Sequence, residues 1–246
     1  MWTLSGFADE IDDDLERQCS LLDQLGIRFI EFRSAWGVNV LDLDDEQVAR
    51  ARDILWAHGI QASSIGSPIG KVNITDDFDA HLARMDRAVW VAQQLRAPFI
   101  RVFSFFLTPD QRPEDHRDEV VRRMAALAQR AEAGGVVMLH ENEKGIFGDV
   151  PERVFDIVTA VNSPALRLAW DAANYVQVGV VPFPEAYELL RPYTDYIQIK
   201  DAKLGTGEVV VAGAGDGRVP DTIRALAADG FDGFFSREPH LSSAHH

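Results

Sequence analysis

Cysteine is nearly absent from this chain: one thiol, Cys19, stands among 246 residues. No internal disulfide can form, which fits a reducing cytosol. Cys19 lies inside an amphipathic helical pattern, the place of a small core residue rather than of a nucleophile. No apolar run approaches the ~20 residues that a helix needs to span a bilayer. The opening run, MWTLSGFADEIDDD, is acidic and lacks the charged and apolar regions of a secretory signal. A soluble, cytoplasmic setting is expected. Basic residues are also scarce, with 24 Lys and Arg against 39 Asp and Glu, a net charge of −15. That field disfavours a nucleic-acid partner, although a local basic pocket can still hold one phosphate. The Gly-rich phosphate fingerprint of a dinucleotide-binding sheet is missing as well. After the first strand the chain reads GFADEI.

What is there is alternation. Short β-rich apolar runs are expected at 3–8, 29–32, 60–64, 99–103, 136–140, 166–170, 196–199 and 231–235. Helical patterns lie between them at 15–25, 45–58, 78–95, 114–133, 151–161, 184–190 and 219–228. In the third helix Leu82, Met85, Val89 and Ala92 recur at helical spacing. Gly26, Gly59, Gly134 and Gly230 close helices, and Pro151 opens one. No linker or change of composition divides the units. A strand–helix repeat of this kind pairs its strands in parallel. Eight such units in 1–246 are the pattern of a single-domain α/β (β/α)8 TIM barrel. An open doubly wound sheet is the alternative. The run LSSAHH follows the eighth strand, so the barrel is expected to lack its eighth helix. That leaves an apolar flank for a partner copy or another segment to cover, and a homodimer is one way to do so.

In a parallel barrel all strand C-termini open on one mouth, where the active site lies. Glu141 follows VVMLH, Asp171 follows LRLAW, Gln198 sits in YIQIKD, and Glu238 follows FFSR. Strand alternation sends Glu141 and Glu143 one way, and His140 and Asn142 the other. Taken singly, each has an ordinary reading. Glu141 and Glu238 suit loop starts, Asp171 suits a helix N-cap, and Gln198 could face outward. Four such residues at four equivalent positions point to a shared site. Oxygen ligands from Glu141, Asp171, Gln198 and Glu238 suit a hard divalent cation, Mg2+ or Mn2+, with Co2+ or Zn2+ as alternatives. Such an ion polarises a carbonyl or hydroxyl oxygen. Glu141 and Glu238 can then serve as acid and base. These are the parts for moving a proton next to a carbonyl through an enediolate.

Arg33, Lys71, Arg101, Lys144 and Lys200 lie near the same rim. They can bind hydroxyls, a carboxylate or a phosphate, or can balance buried acids such as Glu31 and Glu141. Asn174 can reach back toward the mouth as a substrate contact. Trp36 and Phe105 or Phe106 are candidate apolar walls, with core packing as the alternative.

The runs LHENEKGIFGDVPERVFDIV, LAWDAANYVQVGV, YIQIKDAKLGTGEVV and GAGDGRVPDTIRALAADGFDGFFSREPHL resemble the xylose isomerase-like TIM barrel family. That family includes sugar-phosphate isomerases and epimerases, D-tagatose 3-epimerase, hydroxypyruvate isomerase and inosose dehydratase. The resemblance implies metal ligands at Glu141, Asp171, Gln198 and Glu238, with the two glutamates doubling as the proton-transfer pair. It also implies a substrate contact at Asn174, while Lys200, Arg33, Arg101, Lys71 and Glu143 are candidate substrate contacts from their place at the strand ends and rim. Two positions depart from the family pattern, which has His where this chain has Gln198 and where it has Asn174. An amide oxygen binds a transition metal more weakly than an imidazole does, which leans the site toward Mg2+ or Mn2+. The expected function is a metal-dependent isomerase or epimerase of a small sugar, sugar phosphate or polyol-derived ketone. A dehydratase on the same scaffold and a metal-free sugar-binding barrel are the alternatives.

Overall fold

A computed structural model describes residues 2–238 of the chain. The strands are β1 Thr3–Gly6, β2 Phe29–Phe32, β3 Gln61–Ile65, β4 Phe99–Val102, β5 Val137–Glu141, β6 Leu166–Asp171, β7 Thr194–Ile199 and β8 Phe234–Arg237. All ladders among them are parallel, in the spatial order β1-β8-β7-β6-β5-β4-β3-β2. β1 and β2 face each other at the remaining seam, so the sheet curls into a nearly closed barrel.

Helices cover the outside: α1 Leu15–Gln24, α2 Asp45–Ala57, α3 Phe78–Leu95, α4 Pro113–Ala133, α5 Pro151–Val161, α6 Ala172–Gln177, α7 Glu185–Leu190 and α8 Val219–Ala228. Local signals start them. Asp14 caps α1, and Asp44 forms a reciprocal capping box with Gln47 at α2. Proline opens α4 and α5. The apolar stripes of these helices bury against the outer strand faces in one continuous core. Each Leu- or Phe-sized side chain taken fully out of water there contributes about 1.5–3 kcal/mol. Cys19 belongs to this core, and burial pushes its thiol up to about 12, far from a reactive thiolate.

Several elements differ from sequence expectation. α6, six residues that follow directly on the last residue of β6, has no counterpart among the expected helices, because no turn signal separates it from the strand. β8 begins at Phe234 rather than Phe231. Phe231 instead packs its ring edge-on against Phe235, with ring centroids 5.5 Å apart. β5 and β6 each run one residue further than expected, which makes Glu141 and Asp171 the last residues of their strands. The expected lack of a helix after β8 concerns residues 239–246, which lie outside the described residues.

Inside the barrel, polarity changes along the strand axis. At the N-terminal end Leu139, Ala169 and Tyr196 pack with Phe99 and Phe234. Above them Ser63 Oγ lies 2.6 Å from Ser5 Oγ and 2.9 Å from Tyr196 Oη. Two residues further along six of the strands the interior face turns polar or charged. Phe29 gives way to Glu31, Phe99 to Arg101, Leu139 to Glu141, Ala169 to Asp171, Tyr196 to Gln198, and Phe234 to Ser236. The period of two in a strand keeps each pair on one face. The barrel is therefore plugged by apolar side chains at one end and carries its buried charge at the other.

One loop at the charged end hangs on a histidine. His81 of α3 is buried, and its Nε2 accepts a hydrogen bond from Gly70 N at 2.8 Å. Gly70 has φ +88°, and a Cβ there would lie 2.0 Å from Phe103 O, so only glycine fits. Burial, reinforced by the charges of Arg123 and Arg84, pushes the His81 imidazole down to about 4 from an ordinary 6.5. The unfolded chain thus takes up this proton first as pH falls. Stability from His81 is full above pH 6.5 and is lost between pH 6.5 and 4, by about 3 kcal/mol in total. Urea unfolding at pH 7 and pH 4.5 should show His81→Gln losing less over that interval than the wild type. Equal losses would mean that His81 does not titrate as its burial requires.

Candidate active site

Glu141, Asp171 and Glu238 come together at the charged end of the barrel. Each is buried, and each offers a carboxylate oxygen within 4.8 Å of those of the other two. Strand ends place them: Glu141 closes β5, Asp171 closes β6, and Glu238 follows β8, with its backbone N donating to Ile199 O. Asp171 also caps α6, its Oδ1 accepting from Asn174 N at 2.9 Å. Asp171 thus caps α6 with one oxygen while the other, Oδ2, faces Lys200 in the acidic cluster.

Lys200 is the cation of this cluster. Its Nζ lies 2.9 Å from Asp171 Oδ2 and 3.2 Å from Glu238 Oε2. Burial disfavours its charge, but Asp171, Glu238 and Glu141 more than offset that and hold the ammonium above its usual range. For Glu141 burial dominates over the pull of Arg101, whose Nη1 is 3.3 Å from Oε2, and its carboxyl is pushed up to about 8. Burial likewise raises Asp171, against the opposing charge of Lys200.

The rim residues sort themselves by partner. Arg33 grips Asp9 through Nε and Nη2, at 2.7 and 2.9 Å; Nη2 also reaches Glu10, and Nη1 reaches Glu238. Arg101 is fully enclosed, its guanidinium over the rings of Phe7 and Phe103. Lys71 pairs with Glu143 at 3.2 Å and lies over Phe103. Arg33, Lys71, Arg101, Glu141, Glu143, Lys200 and Glu238 together line a cavity of about 220 Å³. Asn174 spends its side-chain N–H groups inside the protein, on Glu141 Oε1 at 3.2 Å and Asn142 O at 2.8 Å. What the structure shows for it is a brace on Glu141. Phe105 is fully buried against Phe78 and His81, and the rings that back the cavity's cations are Phe7, against Arg33, and Phe103, against Lys71.

Gln198 is buried on the interior face, but its Nε2 donates to Glu31, at 3.2 Å to Oε1 and 2.9 Å to Oε2. Its own Oε1 has no hydrogen-bond donor. Sequence reasoning passed over several residues that the structure brings in. Asn142 clamps β5 to β6 through Asp171 N and O. Asp201 gathers the Gly-rich loop after β7 by accepting from Gly213, Gly215 and Gly217 N. Spaced glycines downstream of a strand-end Asp were the available signal for that turn.

The donor set fits a divalent cation. Three carboxylates converge, and the amide oxygen of Gln198 is buried without a donor. Hard oxygen ligands of this kind hold Mg2+ or Mn2+.

A family model described as xylose isomerase-like TIM barrel matches residues 19–244. A 2-epi-5-epi-valiolone 7-phosphate 2-epimerase from Actinoplanes sp. is 40% identical over 96 residues, 39% of this chain and 34% of that protein. This chain thus matches about a third of the length of that curated relative. Among solved structures, a D-tagatose 3-epimerase-like protein superposes with TM-score 0.82 at 16% identity, over 98% of this chain and 92% of the other. A xylose isomerase-like TIM barrel protein from Mycobacterium smegmatis in complex with magnesium superposes with TM-score 0.71 at 21% identity, over 97% and 90%. At these identities the structures speak for the fold.

Proposed function

The chain belongs to the xylose isomerase-like TIM barrel family, and from that premise we propose a divalent-metal-dependent isomerase or epimerase. Its substrate is a small sugar, sugar phosphate or polyol-derived ketone. The observation that carries this reading is the buried trio Glu141, Asp171 and Glu238 within 4.8 Å of one another. Similarity to a sugar-phosphate epimerase supports the substrate class.

Glu141, Asp171, Glu238 and the Gln198 oxygen would hold the ion, with Mg2+ or Mn2+ favoured. When bound, it supplies Lewis acidity toward adjacent substrate oxygens. The protein does the rest. One of Glu141 and Glu238 takes the proton from the carbon beside the carbonyl, and the other returns a proton to the enediolate. Asn174 and Arg101 keep Glu141 in place. Lys71, Arg33 and Glu143 on the cavity wall would bind hydroxyls or a charged group. The plug of Tyr196, Phe99 and Phe234 closes the barrel beneath the site.

The test is solvent deuterium exchange into a panel of ketoses and ketose phosphates, with Mg2+, Mn2+, Co2+ or Zn2+ added. Exchange that chelator abolishes supports the reading. No exchange with any ion sinks it for those substrates.

A further inference from the structure

Gln198 sits between two different neighbours on the interior face. Its register partner on β6 is Asp171, a member of the acidic trio, and its partner on β8 is Ser236. Glu31 Oε2 accepts from Ser236 Oγ at 2.7 Å, and both Glu31 oxygens accept from Gln198 Nε2. Glu31 is almost wholly enclosed, with 1% of its surface exposed, and the charge of Arg101 together with these donors favours its ionised form against burial. An ionised carboxylate only accepts. It can face the NH2 end of the amide but not the oxygen end. Turning the Gln198 amide over would set its oxygen against Glu31 and leave the NH2 group without that acceptor.

We propose that Glu31 is a positioning residue which locks the Gln198 amide with its oxygen turned away from β2, so that it is presented as a neutral fourth ligand to a divalent cation beside Glu141, Asp171 and Glu238. Both ends of the amide fit this reading. The amide nitrogen is held by the Glu31 carboxylate, and the amide oxygen is the end left buried without a donor. An unbiased amide would spend part of its time with the NH2 group facing the ion, where it cannot coordinate. The carboxylate removes that state. Glu31 thereby does for this amide what an outer carboxylate does for a ligating imidazole, which is to fix which atom points inward. The inference rests on the metal reading of the site.

The test is Mn2+ binding to the full chain, read from the EPR signal of free ion at constant pH. The proteins compared are the wild type, Glu31→Gln, Gln198→Met and the double variant. Glu31→Gln is expected to weaken binding about 10-fold, as loss of outer partners does elsewhere. In the Gln198→Met background the same change should have no further effect, because there is no amide left to orient. Were Glu31 acting only as a remote negative charge, its replacement would weaken both backgrounds equally, and that result overturns the proposal. So does wild-type affinity in a folded Glu31→Gln protein. Should Glu31→Gln fail to fold, Ser236→Ala loosens the same carboxylate. Its smaller loss should likewise vanish in the Gln198→Met background, and equal losses in both would count against the proposal. A wild-type protein that holds no Mn2+ overturns the metal reading itself, whereas binding with additive losses overturns the role of Glu31 alone.

Discussion

Glu141→Gln and Glu238→Gln should each cut deuterium exchange into the substrate by about 10²–10⁴-fold, the usual worth of a positioned acid or base. The two residues come from strands on either side of the Asp171 and Gln198 strands, and both reach the same cluster. Gln keeps the shape and much of the hydrogen bonding but cannot carry the proton. Because the reaction needs both steps, the double variant should be little worse than either single one. Thermal melts separate this from unfolding. Glu141→Gln leaves Arg101 without its charged partner, so some loss of stability is expected, but no comparable loss for Glu238→Gln, since Lys200 still has Asp171. Single variants that exchange as fast as the wild type would remove Glu141 and Glu238 from the chemistry.

Lys200→Met should destabilise the metal-free protein by about 3–5 kcal/mol, the cost of stripping a buried charge cluster of one partner. Lys200 Nζ is the close cation of Asp171 and Glu238, and all three side chains are almost wholly buried. Without it, three carboxylates face one another in a low-dielectric site, with Arg101 and Arg33 left to balance them. A divalent ion held by the trio would supply the missing positive charge. The loss should therefore be large in chelator and much smaller in saturating Mn2+, since a ligand that binds only the folded state adds stability. Urea unfolding of both proteins, with EDTA and with Mn2+, measures this directly. A variant as stable as the wild type in EDTA would mean that Lys200 does not neutralise the acids. An undiminished loss in Mn2+ would mean that the trio takes up no ion in its place.

Much of this molecule is legible along the chain. Strand–helix alternation specifies a barrel because parallel pairing and right-handed crossovers leave few other ways to arrange eight units. The strand ends carrying Glu141, Asp171 and Glu238 could be found by the same rule, since strand direction alone decides which ends share a mouth. Even the polarity gradient is written there. Reading every second residue, Phe29 to Glu31 or Leu139 to Glu141, passes from plug to site. α6 is not legible because it starts directly at the end of β6, with no turn between strand and helix to mark it.

The partners of those residues could not be read the same way. Glu31 and Gln198 are 167 positions apart in sequence, and Arg33 and Glu238 are 205 apart. Each pair meets only when the barrel curls, because curling sets β2 within reach of β7 and β8. The fold, the strand ends and the kind of oxygen donors brought to them follow from local pattern and strand direction. The tertiary structure alone decided that Lys200 lies among the acids, that Asn174 braces Glu141 inside the protein, and that Gln198 turns its nitrogen to Glu31. Those choices depend on distances across the barrel, which no local spacing encodes.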